Sequence, residues 1–122
     1  MKFYKCNVCG KIIVMVNETA VPTVCCGESM TELKAGVTDA ATEKHVPVYE
    51  QNGGVVTVCV GSVTHPMVEE HHIQWICLET NKGYQIKHLN AGDEPKASFA
   101  LLEGESVTAV YEYCNLHGLW KA

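Results

Sequence analysis

The chain has 122 residues, 47% of them apolar, a mean hydropathy near zero and a formal charge of −5. That suffices for one ordinary domain, or a small domain beside a minimal one, and it excludes a disordered chain. There is no arginine and the lysines are scattered, which argues against nucleic acid as a partner; the longest aliphatic run, Ile12 to Val16, is too short to cross a membrane.

Seven cysteines and six histidines in so short a chain need a chemical reason. An odd thiol count, two adjacent cysteines and no export signal in Met1 to Cys6 argue against a disulfide scaffold. They favour reduced thiols holding metal in a cytoplasmic setting. Four thiols fall in the first 26 residues: Cys6-x-x-Cys9, fifteen residues, then Cys25-Cys26. One Cys-x-x-Cys pair wraps two ligands onto a tetrahedral ion and a second pair completes it, with Gly10 and Gly27 giving permissive backbone after each pair. Neighbouring side chains diverge, so joint ligation by Cys25 and Cys26 predicts a distorted tetrahedron. Lys11 to Val16 predicts one side of a short hairpin. Residues 1–36 are too few to bury a stable core, which makes the metal a folding requirement. Four sulfurs accept zinc or iron, and on chemistry alone zinc is the first choice.

From residue 37 onward, short β runs alternate with turn signals. Val46 to Glu50 and Val55 to Val60 flank Gln51-Asn52-Gly53-Gly54, and Ile73 to Glu79 and Tyr84 to Leu89 flank Thr80-Asn81-Lys82-Gly83. Ala97 to Leu102 and Val107 to Tyr113 follow, and no stretch has a helical period. Six or seven such strands over residues 37–122 predict an antiparallel β-sandwich of immunoglobulin-like type.

The same region carries a second set of metal-binding side chains: His45, His65, His71, His72, Cys114 and His117. Cys114-Asn115-Leu116-His117 is a local chelate, while His65-Pro66-Met67 and Glu69-Glu70-His71-His72 read as loops between strands. Imidazoles with one thiolate suit iron, copper or zinc, and more than four protein ligands argue against structural zinc. Cys59 and Cys77, among apolar neighbours, are expected to be reduced core thiols. Trp75 and Trp120 are expected to pack, with Trp120-Lys121 covering the metal loop.

The combination Cys6-x-x-Cys9…Cys25-Cys26-Gly27, Glu43-Lys44-His45-Val46-Pro47-Val48, Val60-Gly61-Ser62-Val63-Thr64-His65-Pro66-Met67 and Glu112-Tyr113-Cys114-Asn115-Leu116-His117-Gly118 resembles desulfoferrodoxin, the two-iron class of superoxide reductase. The resemblance runs the whole length of the chain, with the motifs in the family's order. It implies a mainly β protein: a desulforedoxin-like iron knuckle over 1–36 and an immunoglobulin-like sandwich with the catalytic iron over 37–122. It implies two iron ions per chain. The first is held by Cys6, Cys9, Cys25 and Cys26, which displaces the preference for zinc; the second is held by His45, His65, His71 and His117 with Cys114 as axial thiolate. Superoxide is then the substrate. Lys44 attracts it, and Glu43 occupies the open iron position once the metal is oxidised. A rubredoxin-type electron donor and a homodimer are implied by the resemblance alone. His72, next to His71, and His88, late in a strand, are expected not to ligate.

Overall fold

In a computed structural model, which describes residues 1–122, nearly all regular structure is antiparallel β, divided between two units, Met1–Lys34 and Ala35–Ala122. No helix is long and apolar enough to cross a membrane.

The smaller unit has strands of two or three residues. β1 (Phe3–Lys5) lies between β2 (Ile12–Val14) and β5 (Thr31–Glu32), with Phe3 opposite Val14 and Tyr4 opposite Glu32. β3 (Val24–Cys25) and β4 (Glu28–Ser29) form a separate ladder of two residue pairs, Val24 with Ser29 and Cys25 with Glu28. Only Phe3, Cys6 and Met30 are buried hydrophobic side chains here. So few cannot offset the entropy of ordering this segment, and the sulfur cluster must supply the rest.

The larger unit is a sandwich of two sheets. One has the order β10-β7-β6, built from β6 (Pro47–Asn52), β7 (Val55–Val60) and β10 (Lys96–Ala100). The other has the order β12-β11-β8-β9, built from β8 (Ile73–Thr80), β9 (Gly83–His88), β11 (Val107–Cys114) and β12 (Gly118–Lys121). Val56, Val58 and Val60 of β7 face Ile76, Leu78 and Val110 in a core completed by Phe99, Ile73 and Cys114. Seven strands in 3 + 4 arrangement agree with the predicted sandwich. A register shift between Tyr113 and Cys114 leaves Gln74 exposed and sets Ile73 opposite Cys114, so β8 returns an apolar side chain to the core beneath the thiol.

Two features differ from the sequence reading. Cys59 is not in the core; with Val55 and Thr57 it lies on the outer face of β7, because Val56, Val58 and Val60 take every inward position. Cys77 is buried, as expected. A single helical turn, α1 (Thr42–His45), precedes β6, closed by the Val46 N–H on the Thr42 carbonyl at 2.9 Å. Along one margin of the sandwich, Gln85 Nε2 donates to the Ala100 carbonyl at 3.0 Å and Lys87 Nζ to the Ser98 carbonyl, linking edge strand β9 to edge strand β10.

Candidate metal centres

The knuckle of the smaller unit gathers all four predicted thiols. Sulfurs of Cys9 and Cys25 lie 3.7 Å apart, and those of Cys25 and Cys26 3.9 Å. Metal–sulfur bonds of about 2.3 Å in a regular tetrahedron require an edge of about 3.8 Å. Those two edges, one of them between the adjacent Cys25 and Cys26, match the regular figure. Cys26 has φ +53°, the left-handed region, which turns consecutive thiols onto one centre, and Gly27 continues at φ +76°. The thiols do not ionise alike. Backbone N–H groups of Cys9 and Val8 pull Cys6 down to about 6, whereas hydrogen bonding to Cys6 and Cys9 pushes Cys25 up to about 12.

In the larger unit, four imidazoles and one thiol converge from four places. α1 supplies His45, the loop after β7 supplies His65, the turn before β8 supplies His71, and the end of β11 with the turn that follows it supplies Cys114 and His117. The rings form a square. Neighbouring centroids lie 4.7 Å apart for His45 and His65, 4.7 Å for His65 and His71, 5.0 Å for His71 and His117, and 4.8 Å for His117 and His45. The His45–His71 diagonal is 6.5 Å, and each ring stands at 78–87° to its neighbours.

Tautomers identify the inward atoms. His45 Nδ1 donates to the Ala41 carbonyl at 2.7 Å and His65 Nδ1 to the Pro66 carbonyl at 2.6 Å. Their Nε2 atoms therefore carry lone pairs, yet they face each other at 3.2 Å. Two acceptors at that distance repel unless a cation lies beside both. His117 presents Nδ1, 3.0 Å from His45 Nε2 and 3.8 Å from Cys114 Sγ. His71 Nε2 is buried with no hydrogen-bond partner. Four nitrogens at about 2.1 Å from a central ion would be about 3.0 Å apart along each edge of the square, so the residues fit a metal.

Burial lowers the pKa of His45 and His71 and takes that of His65 down to about 4, which keeps the rings neutral and able to bind. Burial raises Cys114, opposed by the backbone N–H groups of His117 and Leu116 on its sulfur. Those two donors favour the thiolate.

Trp120 stacks on His45 at 4.9 Å and donates Nε1–H to the His117 carbonyl at 3.1 Å, so it braces two ligands. Trp75 stacks on Tyr113. His72 turns away, its Nδ1 donating to the Val68 carbonyl at 3.1 Å, and His88 is exposed on β9. Glu43 is exposed and Lys44 half-buried on α1, where the Lys44 charge acts on both His45 and His71. The Glu43 carbonyl accepts from Val63 N–H at 2.9 Å and Ser62 Oγ at 3.3 Å, tying α1 to the His65 loop. Sequence reasoning missed this tie, and also the bracket that Asn115 makes around the His71 turn: its Nδ2 donates to the Glu70 carbonyl and its Oδ1 accepts the His72 N–H.

Two family models match the chain: Desulfoferrodoxin over residues 37–122, and Desulfoferrodoxin, N-terminal domain, over residues 1–33. The chain is 48% identical to a desulfoferrodoxin of Syntrophotalea carbinolica, over 100% of this chain and 95% of the relative. Among solved structures it resembles the superoxide reductase of Treponema pallidum, with a TM-score of 0.84, 40% identity, and 99% and 97% of the two chains covered. A one-iron superoxide reductase of Giardia intestinalis matches 66% of this chain and 96% of its own, with TM-score 0.56 and 34% identity.

Proposed function

The chain belongs to the desulfoferrodoxin family, and from that premise we propose that it reduces superoxide to hydrogen peroxide at the four-histidine, one-cysteine group of the larger unit. The family carries two iron centres, and the four-sulfur and four-imidazole groups are the residues that hold them here. The observation that carries the reading is the square of neutral imidazoles with a fifth, thiolate donor. Five protein donors leave a six-coordinate ion one position for a small ligand. Iron(II) held there would supply one electron, which with two protons would convert superoxide to hydrogen peroxide.

The protein residues perform the rest. The carbonyls of Ala41 and Pro66 hold His45 and His65 in the tautomers that point Nε2 inward. The N–H groups of Leu116 and His117 offset part of the burial that raises Cys114, and so favour its thiolate form as a donor. Neutral imidazoles leave the centre with net positive charge, and Lys44 adds a cation beside it, so an anionic substrate is attracted against the overall charge of −5. Glu43 is assigned the role of closing the open position in the oxidised state. The smaller unit, roughly residues 1–36, is assigned electron storage or relay from a rubredoxin-type donor. A homodimer in the cytoplasm completes the family reading.

Two measurements test it. Superoxide generated by pulse radiolysis should yield one hydrogen peroxide per superoxide consumed with a reductant present; one per two means dismutation. Lys44→Ala should slow capture by about tenfold at low salt, with iron content unchanged, and the difference should shrink at high salt. An unchanged rate at low salt removes Lys44 from substrate capture.

A further inference from the structure

Three of the four imidazoles have anchors of their own. His45 and His65 are fixed through Nδ1, and His117 through the short chelate with Cys114 and through Trp120 on its carbonyl. His71 has no such anchor on its ring, and its buried Nε2 has no partner. Its direction must come from its backbone. His71 and Val68 exchange two backbone hydrogen bonds, both 3.0 Å, which close the turn but leave its tilt toward the centre open.

We propose that Asn115 is the positioning residue that sets His71. Its side-chain Nδ2 donates to the Glu70 carbonyl at 3.0 Å and its Oδ1 accepts the His72 N–H at 2.9 Å. One amide thus bonds the peptide group on each side of His71, as a neighbouring strand would. The Asn115 N–H also donates to the His72 carbonyl at 3.2 Å. Asn115 directly follows Cys114, so the bracket ties the His71 turn to the segment bearing the other two late ligands. It also accounts for adjacent histidines behaving differently: the bracket holds the chain so that the His71 ring turns inward, and the His72 ring goes to the Val68 carbonyl.

The inference rests on the reading that His71 binds iron, and its consequence is metal affinity. Asparagine is required because the two peptide groups offer one acceptor and one donor, and an amide complements both at once. Losing such an outer partner typically weakens a site by about 10- to 100-fold.

The test is a double-mutant cycle on the full chain. Iron(II) affinity at this site is measured anaerobically by chelator competition for the parent, Asn115→Ala, His71→Ala and the double variant. Asn115→Ala should weaken binding by about 10- to 100-fold in the parent and have little further effect when His71 is already alanine. A role in general stability would give equal losses in both backgrounds. Equal losses, or none in the parent, overturn the proposal. Should Asn115→Ala fail to fold, Asn115→Asp keeps the acceptor for His72 N–H, drops the donor to Glu70, and carries the same cycle. Superoxide turnover of the parent is measured separately. A parent that binds iron without reducing superoxide defeats the enzymatic reading and leaves the cycle intact.

Discussion

Glu112 lies fully buried on the core face of β11, between Val110 and Cys114, with neither carboxylate oxygen hydrogen-bonded. Burial pushes its pKa up to about 9, so it is a neutral acid at pH 7. A folded value above the unfolded one of about 4.5 means the folded state holds a proton the unfolded chain releases. The stability it allows is complete below pH 4.5 and is lost as pH rises toward 9, with a decline on the order of 3 kcal/mol by pH 7. Glu112→Gln should flatten the fall in thermal midpoint between pH 5 and pH 8; equal slopes in parent and variant would count against this. The sequence conceals Glu112, because alternation along Val107-Thr108-Ala109-Val110-Tyr111-Glu112 pairs it with Thr108 as a solvent position. Cys59 misleads in the opposite sense. Every residue of β7 but Thr57 is apolar or a thiol, so composition does not say which face is inside. The preference for His71 over His72 came from the family resemblance, whereas the candidate set was legible, since His and Cys at this density have few other uses in a reduced chain. Which ring nitrogen each histidine presents was not, because Ala41 and Pro66 decide that through carbonyls that any residue would supply.

At the scale of elements, α1 and the loop after β7 meet with no room to spare. A Cβ built on Gly61 would stand 2.5 Å from the Glu43 carbonyl oxygen and 2.9 Å from the Lys44 carbonyl carbon, backbone against backbone. Neither atom can swing aside as a side chain could. Gly61→Ala should therefore part the two segments that carry His45 and His65. About 1–3 kcal/mol of the larger unit's stability and about tenfold in iron affinity should go with it. Thermal unfolding and iron retention against a chelator check both. Parent-like values would mean that the segments separate without disturbing the square. The six longer strands of the sandwich were readable from β-branched runs between turns. α1 was not, since four residues barely exceed one helical period, and β12 was not, since Gly118 to Lys121 follows the chelate with no alternation to mark it. Asn115 escaped notice for a related reason: its bracket depends on register between β11 and a turn more than forty residues earlier.

For the whole molecule, the two units differ in what keeps them folded. Three buried apolar side chains serve residues 1–34, whereas the sandwich has an eleven-residue cluster. Cys26→Ser should remove the first iron and unfold the smaller unit, while the larger keeps its iron and its thermal midpoint. Iron per chain and amide hydrogen exchange resolved by unit would report it, and loss of both metals would contradict independence. The Gln85 and Lys87 bonds to β10 have a consequence for assembly. Edge strands invite other chains to add to them, because their outer carbonyls and N–H groups are free. The Ser98 and Ala100 carbonyls are already taken by side chains from β9, so an incoming strand at β10 would first have to break them. Self-association by strand addition is thereby directed away from β10, toward the other margins of the sheets. Growth into open-ended aggregates, which needs a receptive edge at each end, is obstructed on one side.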